Sequence, residues 1–147
     1  MAVTDAERIR AEFHGDCIAC RPRERGGLAL QFTVAEDGSV RGTFACEEFY
    51  RGYAGWIHGG IVAMLLDEAL TYCLATRGVR GITARLNIRY RHPIDVGTEA
   101  VVRAWMTREE PPLYEVEAEI QQAGRVRALA DAKFYGELPD EGDGEAG

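Results

Sequence analysis

The run His58-Gly59-Gly60-Ile61-Val62-Ala63-Met64-Leu65-Leu66-Asp67-Glu68-Ala69-Leu70 is apolar on nearly every side of a helix. A helix without a polar face has to be wrapped by the rest of its domain. Asp67 is the anomaly within it, because an unpaired carboxylate among apolar groups is costly and tends to have its titration displaced. An ion pair with one of the many arginines is the plain alternative, but acids in apolar settings concentrate at functional sites. Gly59-Gly60 opens the run, and glycine admits other groups close to the backbone. A helix start there presents free N–H donors with partial positive charge. Asp67 lies eight residues beyond Gly59, ~12 Å along the rod at 1.5 Å per residue. One helix cannot bring both to the same small group; a second copy running antiparallel can, so the spacing predicts a dimer with shared sites.

The flanking sequence supplies the wrapping. Thr4-Asp5-Ala6-Glu7 is a capping-box pattern before Ile9 and Phe13, which predicts a short N-terminal helix ended by Gly15. Leu28 to Val34 and Val40 to Phe44 alternate around the turn Glu36-Asp37-Gly38-Ser39 and predict a first hairpin. An aromatic, glycine-rich loop from Phe49 to Trp56 leads to a helix expected over Gly59 to Ala75, with Arg77-Gly78 closing it. In Ile82 to Tyr90, Ala84, Leu86, Ile88 and Tyr90 fall on one face and Thr83, Arg85, Asn87 and Arg89 on the other. Glu99 to Thr107, Leu113 to Gln122 and Arg125 to Tyr135 complete four strands after the helix. The order implies an α+β domain in which an antiparallel sheet covers one long helix.

The 147 residues, 46% of them hydrophobic, suffice for one domain, expected over residues 1–136. Residues 137–147 carry Glu137, Asp140, Glu141, Asp143 and Glu145 with no basic residue and read as an acidic, disordered tail. The net charge of −7 falls to about −2 without those acids, which argues against nucleic acid as a partner. No apolar stretch is long enough to span a membrane and Met1 to Arg8 holds no signal core, so a cytoplasmic protein with reduced thiols is expected. His14 and the Cys17-Ile18-Ala19-Cys20 pair could begin a zinc site. Cys46 and Cys73 stand alone, however, so the thiols read as small buried groups and no metal or cofactor is expected.

Three stretches resemble the hotdog-fold acyl-CoA thioesterases of the phenylacetyl-CoA thioesterase type: Gly52-Tyr53-Ala54-Gly55-Trp56-Ile57-His58-Gly59-Gly60, Leu66-Asp67-Glu68, and Ile82-Thr83-Ala84-Arg85-Leu86-Asn87-Ile88-Arg89-Tyr90-Arg91-His92-Pro93-Ile94. The similarity runs from about Cys17 to Tyr135. It implies a helix wrapped by a curved antiparallel sheet, homodimers with two sheets joined edge to edge, and often homotetramers. It also implies hydrolysis of an acyl-CoA thioester. Asp67 would be general base or nucleophile, set against the Gly59 N–H of the opposite subunit as oxyanion donor; His58 would brace the turn and Thr83 orient water. Gly60, Asn87, Arg89 and Arg91 would contact substrate, the arginines through coenzyme A phosphates. Gly52 departs from the Asn of several relatives, and His92 from an Arg common before the strand-ending Pro. A hotdog hydratase or dehydratase and a non-catalytic acyl-CoA-binding protein are the competing readings. The first would require His58 as a catalytic acid or base, and the second gains nothing from a desolvated carboxylate at Asp67.

Overall fold

The apolar run forms a 17-residue helix, α1 (Gly59–Ala75), in the computed structural model, which describes residues 16–136 together with Glu7, Arg8 and Ala11. The expected N-terminal helix and acidic tail lie outside the described residues, apart from those three, which are helical. Thr76 and Gly78 close α1, with the Gly78 N–H bonded to Ala75 O at 3.0 Å and Gly78 itself at φ 73°.

Six strands wrap it: β1 (Phe32–Val34), β2 (Val40–Phe44), β3 (Gly81–Tyr90), β4 (Ala100–Glu110), β5 (Leu113–Gln122) and β6 (Arg125–Gly136). They form one antiparallel sheet in the order β1-β2-β4-β5-β6-β3. The inward positions explain how a sheet lies so close to a bulky helix. Ala104 pairs with Ala118 and Ala118 with Ala130, giving a row of minimal side chains across the central strands. The larger Leu65, Leu66, Leu70 and Leu74 of α1 are all buried in the same core as that row. No helix among the described residues is long and apolar enough to cross a membrane.

Two expectations change. The strand predicted from Leu28 begins only at Phe32, because Leu28, Ala29 and Leu30 donate their N–H groups to Ile18 O, Arg21 O and Ala19 O, each at 3.0 Å. Leu28 and Leu30 are buried, so the alternation seen in the sequence is real; it arises from pairing with a turn segment instead of a strand. The second change concerns α1. Gly60, Ala63, Met64, Asp67 and Thr71 form a stripe at helical spacing that the sheet leaves exposed or half-buried. The fully buried acid is Glu68, 8% exposed, while Asp67 is half-buried on the open stripe.

Candidate active site

His58 caps α1 in a way that decides which backbone donors remain. Of the four N–H groups that begin a helix without an internal acceptor, that of Gly60 donates to His58 Nδ1 at 2.8 Å. That of Ile61 donates to His58 O at 2.9 Å and that of His58 itself to Tyr50 O at 2.9 Å, while the Val62 N–H makes the first intrahelical bond, to His58 O at 3.1 Å. Among the described residues the Gly59 N–H alone of the four has no acceptor. A neutral His58 accepting at Nδ1 carries its proton on Nε2.

The loop before α1 is tied down on several sides. His58 N–H donates to Tyr50 O at 2.9 Å, Tyr50 Oη to Gly27 O at 2.6 Å, and Ile57 N–H to Ile94 O at 2.9 Å. Behind it the buried Gln122 accepts from Asp95 N–H at 2.8 Å and donates to Asp95 O and Thr98 O at 2.9 and 2.8 Å. These bonds bound a cleft of about 800 Å³ lined by Arg51, Trp56, His58, Gly59, Tyr90 and Arg91 among others. Tyr90 Oη donates to Gly59 O at 3.0 Å, bracing the helix start from the sheet. The sequence marks Tyr90 only as a polar-tipped residue on an apolar strand face; such a tip usually finds a partner when it packs.

Asp67 sits two turns along α1, where Thr83 Oγ1 donates to its Oδ1 at 3.1 Å. Strict alternation would put Thr83 on the outer face with Arg85. A β-bulge at Ala84 resets the pleat, so Thr83 pairs with the core residue Phe134, Leu86 with the buried Ala132, and both look toward α1. Burial pushes the Asp67 carboxyl above its ordinary value, and the Thr83 hydroxyl acts against that shift.

The expected site residues therefore divide into three groups. His58, Gly59 and Arg91 meet in the cleft, and Gly60 lines an adjoining apolar hollow with Met64 and Ile61. Asp67 and Thr83 form a separate pair. Asn87 and Arg89 line a shallow depression on the outer sheet face, where Asn87 Nδ2 donates to Asp131 Oδ2 at 3.1 Å. Arg51, Trp56 and His92 line the cleft. The sequence marks the first two only as part of the aromatic, glycine-rich loop that leads to the helix, and the third only as a departure from a family pattern.

In mouse, acyl-coenzyme A thioesterase 13 is 34% identical over 65 residues, covering 43% of this chain and 46% of that protein. The chain spans about half the length of the curated relatives it matches. Zebra fish thioesterase superfamily member 2 superposes with a TM-score of 0.72 at 22% identity, covering 91% of this chain and 99% of that one. A Streptococcus pneumoniae hypothetical thioesterase protein solved with coenzyme A superposes with a TM-score of 0.68 at 18% identity, covering 73% and 87%. The sequence model of the thioesterase superfamily matches residues 54–129, just over half of the chain, a span that holds the helix start, most of the cleft's lining and the Asp67–Thr83 pair, and the chain belongs to that superfamily.

Proposed function

We propose that the protein hydrolyses acyl-CoA thioesters to a free acid and coenzyme A in a homodimer whose sites are shared. One observation carries this reading: the capping bonds of His58 consume every first-turn donor of α1 except the Gly59 N–H. A single fixed donor at a helix start suits the oxygen of a thioester carbonyl, whose negative charge grows in the transition state.

Asp67 of the same chain is ~12 Å along the rod, so the partner subunit's Asp67 would complete the site. The open stripe on α1 and the outer edge of β3, unpaired among the described residues and with Ile82 and Tyr90 more than half exposed, support an association that runs along this side. In the reaction, water adds to the carbonyl carbon and gives its proton to the Asp67 carboxylate. The oxyanion rests on the Gly59 N–H, and collapse of the tetrahedral intermediate expels the coenzyme A thiolate. Direct attack by Asp67 through an anhydride is the other balanced route. Thr83, bonded to Oδ1, leaves Oδ2 to meet the water.

Arg51 and Arg91 beside Trp56 give the cleft phosphate-binding and apolar character together, as a coenzyme A thioester requires. The mouse relative's name and the coenzyme A in the streptococcal structure point the same way. His58 Nδ1 is committed to Gly60, which disfavours a hydratase that would need this ring as acid or base. The test is a panel of aryl-acetyl, benzoyl and fatty acyl-CoA substrates with released thiol followed by colorimetry. Turnover that Asp67→Asn abolishes supports hydrolysis; tight binding of the panel with no thiol release by wild type would make the protein a binding module.

A further inference from the structure

The second acid of the helix, left out of the catalytic reading, meets the cysteine pair. Cys20 Sγ lies 3.0 Å from Glu68 Oε1 and Cys17 Sγ 3.7 Å from Glu68 Oε2. The ligand atoms of the three residues lie within 4.8 Å of one another. Glu68 is buried, and its recorded partners are thiols, which are weak donors for a carboxylate held away from water.

We propose that Cys17, Cys20 and Glu68 bind a zinc-type divalent transition-metal ion, with two thiolate ligands, one carboxylate ligand and a fourth position for water. The dimensions agree. Tetrahedral zinc with bonds of about 2.3 Å to sulfur and 2.0–2.2 Å to oxygen places neighbouring ligand atoms ~3.6–3.8 Å apart. The observed contacts, 3.7 and 3.0 Å, run to the two different oxygens of Glu68, and the three ligand atoms lie within 4.8 Å of one another, so side-chain rotations that move them by about an ångström reach the tetrahedral spacing. On binding, each thiol releases its proton to solvent, and two thiolates and one carboxylate then face a dipositive ion, with no change of oxidation state. Thiolate pairs select zinc-like ions over magnesium or calcium.

The frame that holds the ligands is rigid without the ion. Cys20 and Arg21 both bond their N–H groups to Cys17 O, at 3.0 and 2.9 Å, and the segment is clamped to Leu28–Leu30 by three further backbone bonds. Glu68 comes from the middle of α1, 48 and 51 residues away in sequence. A bound ion would fasten this N-terminal segment to the helix one residue from Asp67. The site neither uses nor supplies a group at Gly59, so it stands or falls apart from the hydrolytic reading.

The experiment uses the full chain, purified under reductant, stripped of metal and titrated with Co²⁺ and then Zn²⁺. The expected result is one cobalt ion per chain with sulfur-to-cobalt charge-transfer absorption, displaced by zinc, and a melting temperature raised by zinc. Glu68→Gln should weaken cobalt binding by ~10-fold or more, at least the loss typical of removing even an outer-shell partner. Cys17→Ser and Cys20→Ser should each remove most of the absorption. Cys46→Ala with Cys73→Ala should leave it intact; burial raises both of those thiols to about 11, and they lie outside the cluster. Absence of the absorption in fully reduced wild type overturns the proposal, as does cobalt affinity unchanged in Glu68→Gln. Should Glu68→Gln fail to fold, an absorption that survives either serine variant overturns it equally.

Discussion

Burial lifts the Asp67 carboxyl above its ordinary value, so the ionised group works against folding at neutral pH. The folded chain holds this proton more tightly than the unfolded chain, and stability falls as pH rises from the unfolded pKa through the folded one. Asp67→Asn should therefore melt no lower than wild type while turnover drops ~100-fold or more, the scale for losing a positioned base. Calorimetry beside the thiol-release assay checks both halves, and normal turnover would move the base elsewhere. The two glycines separate in the same way. A Cβ on Gly59 would meet only the Tyr90 ring at 3.9 Å, so Gly59→Ala should fold normally and lose activity because the methyl group stands beside the one available donor. A Cβ on Gly60 would come within 3.1 Å of His58 Nδ1, so Gly60→Ala should displace the cap and lower stability by about 1 kcal/mol in chemical denaturation.

At the level of elements, the Ala84 bulge is what lets β3 offer Thr83 to Asp67 and Tyr90 to Gly59 from one face. Thr83→Val keeps the shape of the side chain and the bulge while removing the hydroxyl that meets Asp67 Oδ1. Turnover should then fall at least tenfold, the loss expected from one hydrogen bond to a charged group, with the sheet retained by circular dichroism; unchanged turnover would deny Thr83 its part. The bulge explains the limits of reading this chain from sequence. The bounds Gly59–Ala75 are legible because Gly-Gly, a largely apolar run and Arg77-Gly78 mark both ends locally. Period-two patterns locate the strands, yet a single inserted residue leaves no local mark and reverses the face of Thr83. Leu28 and Leu30 alternate as strand residues do, but their partners at Ile18, Ala19 and Arg21 are fixed by tertiary structure. Nothing local marks Glu68, because the thiols that meet it lie 48 and 51 residues earlier in the chain.

For the whole molecule the decisive measurement is complementation. If each site combines the partner subunit's Asp67 with Gly59, mixing inactive Asp67→Asn and Gly59→Ala chains should restore about a quarter of wild-type activity. Random pairing makes half the dimers mixed, each with one intact site under two-fold symmetry. Activity that stays at the level of the separate variants after proven subunit exchange would remove shared sites from the mechanism. Among the described residues the sheet that carries these sites has unequal borders: β3 offers ten residues of open edge, whereas β1, at the other end of the strand order, has three. Two long borders would let chains add at both sides and polymerise, the hazard every open sheet carries. If one long border is spent in the proposed symmetric pair, three residues remain at each outer end, too few to template another chain. The brevity of β1 is thus a stop signal against fibre growth, and extending that strand with an apolar β-forming segment is the change that would turn the proposed pair into aggregate.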